Sequence, residues 1–495
     1  MKKIIFLASL VFSLNTVNAQ TSNTLLQQDF WKQKPTVEAV KAEIAKGNSP
    51  SELDGRSMDP TSFAINNEAP IETIKFMLTQ EGNGLGKGTH HSRTYLHWAA
   101  GRGNVELVNY LISKGSDIEK GDSYGYSPLV FAATGSQQNT ALYDVFFKAG
   151  VDAKKKYKNG ETLLLLGVSG DKDLKLTNYF ISKGLSLDDI DSEGATAFDY
   201  AAKSGNIELL KTLASKGVKP THNALVYASI GGRASSASLD VYKYLVEDLK
   251  LDPKKATQTG NNVLHAIVRK PNQDEIINYF LAKGVDVNKA NAEGNTPFMN
   301  AAAGRNLKLV ELLSAKVKDI NAVNEQGESA LALAVTTGSP EVVSFLISKG
   351  ANVKIEDKAG HNLGYYLVQS YRAPRGQDDK DEFTEKANIL ASKGLNLSLA
   401  QKDGSTLYHA AIAKSDLGLL KKLNNLKINV NAKNKEGMTV LHRAALIAKD
   451  DEILKYLVTI GADKAIKTEF DETAYDLASE NEFLTKKKVA VSFLK

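Results

Sequence analysis

Asn434-Lys435-Glu436-Gly437-Met438-Thr439-Val440-Leu441-His442-Arg443-Ala444-Ala445 holds the parts that decide the fold. Asn434 to Gly437 reads as a tight polar turn: an Asn side chain bonds the backbone two residues on, and Gly accepts the positive φ that closes the turn. Thr439 then offers a hydroxyl to the unpaired amides of a helix start. Ala444-Ala445 is a pair of small side chains that lets a neighbouring helix come close. Each part is weak alone, so the question is whether the set recurs.

It recurs along most of the chain. The turn glycines Gly294, Gly327 and Gly360 are 33 residues apart, as are Gly404 and Gly437. Gly125 to Gly160 is 35, and Gly160 to Gly194 and Gly260 to Gly294 are each 34. Thr94, Ser127, Thr196, Thr296 and Ser329 stand where Thr439 stands, and Pro128 and Pro297 take the first helical position, where a missing N–H costs nothing. Ala99-Ala100, Ala132-Ala133 and Ala201-Ala202 repeat the small pair. A polar break and a second amphipathic helix follow, as in Val105-Glu106-Leu107-Val108-Asn109-Tyr110-Leu111-Ile112, with apolar residues at helical spacing. That helix ends in Lys-Gly at Lys114-Gly115, Lys183-Gly184, Lys216-Gly217, Lys283-Gly284, Lys349-Gly350 and Lys393-Gly394. The Lys complements the helix C-terminus and the Gly caps it.

This pattern resembles the ankyrin repeat. Thr94-Tyr95-Leu96-His97-Trp98-Ala99-Ala100 and Thr439 to Ala445 match its helix start; Gly350-Ala351-Asn352-Val353 and Gly461-Ala462-Asp463 match its exit. The resemblance covers about residues 56–482. It implies an all-α solenoid of roughly twelve helix–turn–helix repeats joined by short β-hairpin-like finger turns. It also implies a surface that binds proteins rather than an active site. Neither helix of a unit is long enough to persist alone in water, so stacking must supply the stability.

The period breaks in two places. Gly360 to Gly404 is 44, and the 11 extra residues fall near 371–382, carrying Arg372 and Arg375. The segment reads as a solvated insertion between two helices or as a loop that touches a partner. After Gly217 only Val-Lys-Pro-Thr-His-Asn precedes the next helix, and Gly231-Gly232-Arg233-Ala234-Ser235-Ser236 follows it. We read a joint there. The expected organisation is a signal peptide over 1–19, an N-terminal helical cap over 20–55, ankyrin sub-arrays over 56–218 and 219–482, and a tail over 483–495. Residues 36–48 read as a lone second helix, and Thr473-Ala474-Tyr475-Asp476-Leu477-Ala478 starts a last, truncated unit.

The first residues carry export chemistry. Lys2 and Lys3 precede a short apolar run over 4–14, and Val17-Asn18-Ala19 offers a small-residue cleavage site. That run is too short to span a bilayer. With no cysteine in 495 residues there is no disulfide and no thiolate metal site. The expected location is a bacterial periplasm, after cleavage near Ala19. The formal charge of +5 is spread over interspersed residues of both signs. It gives no footprint for nucleic acid and none for membrane.

Four short patterns mimic chemistry. Gly121-Asp122-Ser123-Tyr124-Gly125 matches a nucleophile elbow, but it lies on a finger turn and not between a strand and a helix. Gly82-Asn83-Gly84-Leu85-Gly86-Lys87-Gly88-Thr89 is similar to a phosphate loop, but Glu81 and Gly88 occupy two of its defining positions. Asp189, Asp191 and Glu193 begin like a calcium loop that would end on Tyr200 instead of Glu. His90, His91 and His97 lie close in sequence; His97, His265, His409 and His442 share the fourth helix-start slot, where the family places a local hydrogen bond. We expect no catalytic residue, no metal and no cofactor.

The positive signal is the residue before the small pair, which faces the concave groove in ankyrin-like units. Trp98, Phe131, Leu166, Tyr200 and Tyr227 are successively large there, and Tyr366 follows later. A contiguous apolar stripe marks a partner site. The expectation is a monomeric scaffold that holds a protein or peptide along this stripe, with Arg372 and Arg375 as loop contacts. The alternatives are an exported effector acting outside the cell, and a hydrolase or metal enzyme built on Ser123 or on His90, His91 and His97.

Overall fold

A computed structural model describes residues 23–231, 236–373 and 380–495. The leader segment 1–19 and Arg375 lie outside the described residues. Twelve helix pairs run from Pro60–Asn66 with Ile71–Leu78 to Val440–Ile447 with Glu452–Thr459, and a shorter pair, Ala474–Glu480 and Glu482–Lys486, follows. Among the described residues the only β pairing is three isolated bridges, Val323 with Ser329, Glu356 with Asn362 and Lys467 with Thr473, each closing a finger turn. The fold is an all-α repeat solenoid.

Local chemistry sets each helix start. The Ser127, Thr296 and Ser329 side chains accept from the amides of Val130, Met299 and Ala332. Pro128 and Pro297 sit in the first turn. The second helices have their own caps within the polar break: Asn104, Asn206, Asn306 and Ser339 each accept from the third helical amide.

The fingers are tied to one another by backbone. Within each turn the Asx side chain closes the loop, as where Asp122 Oδ1 accepts from the amides of Tyr124 and Tyr126 at 2.8 and 3.0 Å. Between turns, the amide of Glu325 donates to Glu293 O at 2.9 Å and that of Lys358 to Gln326 O at 2.9 Å. Gly294 and Gly327 are needed twice over. Each has a φ near +80°, and a Cβ there would lie 2.6 or 2.7 Å from the next finger's amide nitrogen.

Packing comes from a three-residue signature on most second helices. Leu107, Val108 and Leu111, then Leu209, Leu210 and Leu213, then Val342, Val343 and Leu346 are all buried. Each such side chain contributes about 1.5–3 kcal/mol. Helix Glu382–Ser392 departs from this rule by burying Lys386 and Ala387 with Leu390.

The chain divides into two compact units, one ending at Tyr200 and one starting at Ala201. Residues 217–223, read as a joint, lie inside the second unit, where helix Ile207–Ser215 passes to helix Asn223–Ile230. In the first unit a short helix, Gln28–Lys32, precedes Val37–Ala45, so the second-helix-like segment over 36–48 is not alone. Trp31 anchors it, fully buried, with its Nε1–H on Leu25 O at 2.7 Å. In the second unit, residues 483–495 are tied back: Leu484 and Leu494 are buried, and Lys464 Nζ donates to Phe493 O at 3.1 Å.

Candidate functional site

The side chains around the first helices and fingers fall into two classes, those consumed by the repeat and those left to solvent. The four slot histidines belong to the first. The backbone N–H of Thr94 donates to His97 Nδ1 at 3.1 Å, and the amides of Asn262, Thr406 and Thr439 do the same for His265, His409 and His442 at 3.0, 3.1 and 3.1 Å. An amide can only donate, so Nδ1 carries no proton and the neutral ring is protonated at Nε2. Nε2–H then donates forward to the next finger, to the carbonyls of Tyr126, Asn295, Met438 and Ile466 at 2.9–3.0 Å. Burial holds all four below the usual histidine range. Both nitrogens of His97 are thus committed, and His90 Nδ1 lies 2.7 Å from Arg56 O, so these rings serve the turns.

The proposed stripe divides in the same way. Leu166, Tyr200 and Tyr366 are buried, whereas Trp98, Phe131 and Tyr227 are half-buried. Three polar tips reach nine residues back to their own finger. Trp98 Nε1–H donates to Thr89 Oγ1 at 2.8 Å, Tyr200 Oη–H to Asp191 Oδ2 at 2.9 Å and Tyr366 Oη–H to Asp357 Oδ2 at 2.7 Å. Desolvation, followed by the Asp357 hydrogen bond, pushes the Tyr366 hydroxyl well above the usual phenol range. These tips brace the fold.

In the first unit the structure gathers Trp98 and Phe131 edge to face at 5.9 Å beneath Arg93. The Arg93 guanidinium stands 4.4 Å from the Phe131 centroid and 5.4 Å from that of Trp98, and its Nε–H donates to Asp122 Oδ2 at 3.0 Å. Beside this cluster Tyr124 is 50% exposed, with His91 5.1 Å and Tyr126 6.3 Å away by ring centroid. This finger-tip aromatic group is not among the partner residues expected from sequence, which lie on the helix slot and in the 371–382 insertion; its signal in the sequence is the Tyr124-Gly125-Tyr126 run itself. In the second unit, Lys203 Nζ stands 4.6 Å over the Tyr227 ring. Arg372 Nη1 donates to Gln369 O and Tyr371 O at 2.9 and 2.8 Å, keeping the guanidinium at the base of the insertion.

The mimicking motifs are accounted for by what their side chains do. Ser123 Oγ–H donates to Ser92 Oγ at 3.1 Å on an open turn. Lys87, the apparent phosphate-loop lysine, forms a 2.6 Å ion pair with fully buried Asp59 and donates to Ser51 O at 2.8 Å, pinning the glycine-rich segment to the preceding repeat. Asp191 Oδ1 accepts from the amides of Glu193 and Ala195, and Oδ2 takes the Tyr200 hydroxyl.

Models of ankyrin repeats match residues 61–143, 137–224 and 264–357 in a three-copy form and 423–478 in a many-copy form. Among curated proteins, transient receptor potential cation channel subfamily A member 1 of Homo sapiens is 24% identical over 406 residues, covering 79% of this chain and 35% of that protein. Alpha-latroinsectotoxin-Lt1a of Latrodectus tredecimguttatus is 26% identical over 361 residues, covering 68% and 22%. Ankyrin repeat and KH domain-containing protein mask-1 of Caenorhabditis elegans is 24% identical over 272 residues, covering 53% and 10%. The chain therefore spans about a third of the first relative and less of the other two.

Proposed function

This chain belongs to the ankyrin-repeat family, and from that premise we propose that it is a non-enzymatic scaffold binding a protein or peptide partner on the face made by its first helices and fingers, the concave face of such repeats. The observation that supports this reading is the aromatic group of the first unit: Trp98 and Phe131 are half-buried under Arg93, with Tyr124 and Tyr126 exposed beside them. Aromatic rings next to an arginine give large contact area at low entropic cost. Tyr227 adds a half-buried ring in the second unit. Leu166 and Tyr200 in the first unit, and Tyr366 in the second, hold the same repeat position but are buried.

The leader-like residues 1–19 support export to a bacterial periplasm, with the mature chain starting at Gln20 and acting as a monomer. No helix among the described residues is long and apolar enough to cross a membrane. Cell fractionation with N-terminal sequencing tests the location; an uncleaved chain in the cytoplasm would sink it. For binding, the tagged protein is crosslinked in its own cells and captured partners are identified. The expected result is a partner caught by the parent and lost by a folded Trp98→Ala/Tyr124→Ala variant. Equal capture by both would remove the aromatic group from the site.

A further inference from the structure

One second helix carries a charge in the buried signature, where the polar members elsewhere are the uncharged Thr73 and Thr177. The first position of the buried signature is Leu107, Leu142, Leu209, Leu309, Val342 and Leu419 in regular repeats. In helix Glu382–Ser392 that position is Lys386, only 3% exposed. Its ammonium has three donors and makes one hydrogen bond, to Val335 O at 3.0 Å, at the end of helix Ala330–Thr337. Among the described residues no carboxylate is within ion-pair reach of it; Glu382, one turn earlier, is held by Arg305. A buried ammonium short of acceptors is costly, and burial draws Lys386 down to about 8. Such a breach of local pattern without compensation is where function is to be sought.

The residue after Lys386 is Ala387, where Val108, Leu210 and Val343 stand elsewhere. Lys386 borders a cavity of about 370 Å³. Tyr371 and Phe383 form its apolar wall, edge to face at 5.8 Å, with Tyr371 Oη–H fixed on Asp416 Oδ1 at 3.1 Å. Arg372 and Lys380 line the mouth. Lys422 also lines it but is paired with Asp381. The lining carries four cations (Arg372, Lys380, Lys386, Lys422) against two carboxylates (Asp381, Glu382), and both carboxylates are already engaged. Among the described residues the Nε and Nη2 of Arg372 make no hydrogen bond and Lys386 Nζ makes one, so a planar fork and a buried ammonium each keep donors to spare.

We propose that this cavity binds a carboxylate carried beside an apolar group, with Lys386 and Arg372 taking its oxygens and Tyr371 and Phe383 its apolar part. That the carboxylate comes from a partner polypeptide rests on the scaffold reading above. It is either a chain-terminal carboxylate or an acidic side chain next to an apolar residue.

The test is calorimetric titration of the full chain with N-acetylphenylalanine, N-acetylphenylalanine amide, an end-capped Ala-Glu-Phe-Ala peptide and inorganic phosphate. We expect a carboxylate probe to saturate and the amide to bind at least tenfold more weakly. Lys386→Leu restores the regular signature, so it folds; it loses at least tenfold in carboxylate affinity, and Arg372→Gln weakens it less. Tighter binding of acetylphenylalanine assigns a chain terminus, and tighter binding of the capped peptide assigns a side chain. No saturation by either carboxylate, equal binding by Lys386→Leu, or a preference for phosphate overturns the proposal. Lys386 would then be only a cap on helix Ala330–Thr337. Crosslinking on the same variants separates the two readings. Carboxylate binding without any captured partner sinks the scaffold reading alone. A partner captured undiminished by Lys386→Leu detaches the cavity from that partner.

Discussion

Helix Val105–Ser113 buries Leu107, Val108 and Leu111; helix Glu382–Ser392 puts Lys386, Ala387 and Leu390 in the same three places. The first arrangement fills the space between stacked repeats with apolar atoms. The second leaves a cation and a cavity there. The difference shows that the stack tolerates a repeat whose signature holds a cation and an alanine, because each repeat draws stability from its neighbours as well as from itself. Regular repeats make the fold, and the irregular one is free to carry chemistry.

The sharpest way to break that comparison is to move the lysine. Leu107→Lys places an ammonium in a slot where the native side chain is fully buried among the stacked repeats. It forfeits the leucine's burial and adds an unpaired charge, a loss of about 4 kcal/mol or more. Urea unfolding of the parent and variant measures it. A loss below about 1 kcal/mol would show that the slot is not what holds the repeats together.

A second effect strikes the regular repeats through their histidines. His97→Ala leaves the Thr94 amide and the Tyr126 carbonyl without their partner at a buried joint, at a cost of about 2–3 kcal/mol. Acid does the same to four joints at once. The folded pKa values of His97, His265, His409 and His442 are lowered by burial below the unfolded value of about 6.5. As pH falls, the unfolded chain takes up protons that the folded chain does not. Their contribution is therefore complete above the unfolded pKa and is lost as pH falls through and below it. Melting temperature should drop between pH 7.5 and 5.5, and the drop should shrink when the histidines are replaced. A flat profile would remove the neutral Nε2–H assignment.

The same comparison run backwards gives a smaller effect of opposite sign. Lys386→Leu fills the slot with the residue used elsewhere and removes a desolvated cation. It should raise stability by about 1–2 kcal/mol. A loss of stability would mean that the Val335 hydrogen bond outweighs burial.

Much of this architecture was legible in the chain because it rests on local chemistry. Gly294, Gly327 and Gly360 declare the fingers through the backbone conformation they permit, and Thr439, Ser329 and Pro297 declare the helix starts. What could not be read depends on which side chains meet after stacking. Trp98, Tyr200 and Tyr366 look alike in sequence as groove aromatics. Their polar tips are consumed by Thr89, Asp191 and Asp357, nine residues away. Lys386 is visible in sequence only after the register of an irregular repeat is known, and the insertion before it blurs that register. The loop stands out in the sequence by its length and by Arg372, whereas the buried lysine behind it does not.

The smallest predicted effect tests that division of labour. Tyr366→Phe removes the hydroxyl that donates to Asp357 Oδ2, a carboxylate that also lies 2.9 Å from His361 Nδ1. The ring remains and the slot stays filled, so the loss is that of one hydrogen bond, about 1 kcal/mol. Its signature is local. Amide exchange should speed up at Gly360 and His361, which close the same finger on Asp357, while the finger at Asp191 is unchanged. Partner capture should stay at the parental level, because this hydroxyl faces the turn beneath it. If capture falls while the finger's exchange does not change, the hydroxyl belongs to the binding face after all, and the slot tyrosines rejoin Trp98 and Phe131 as contact residues.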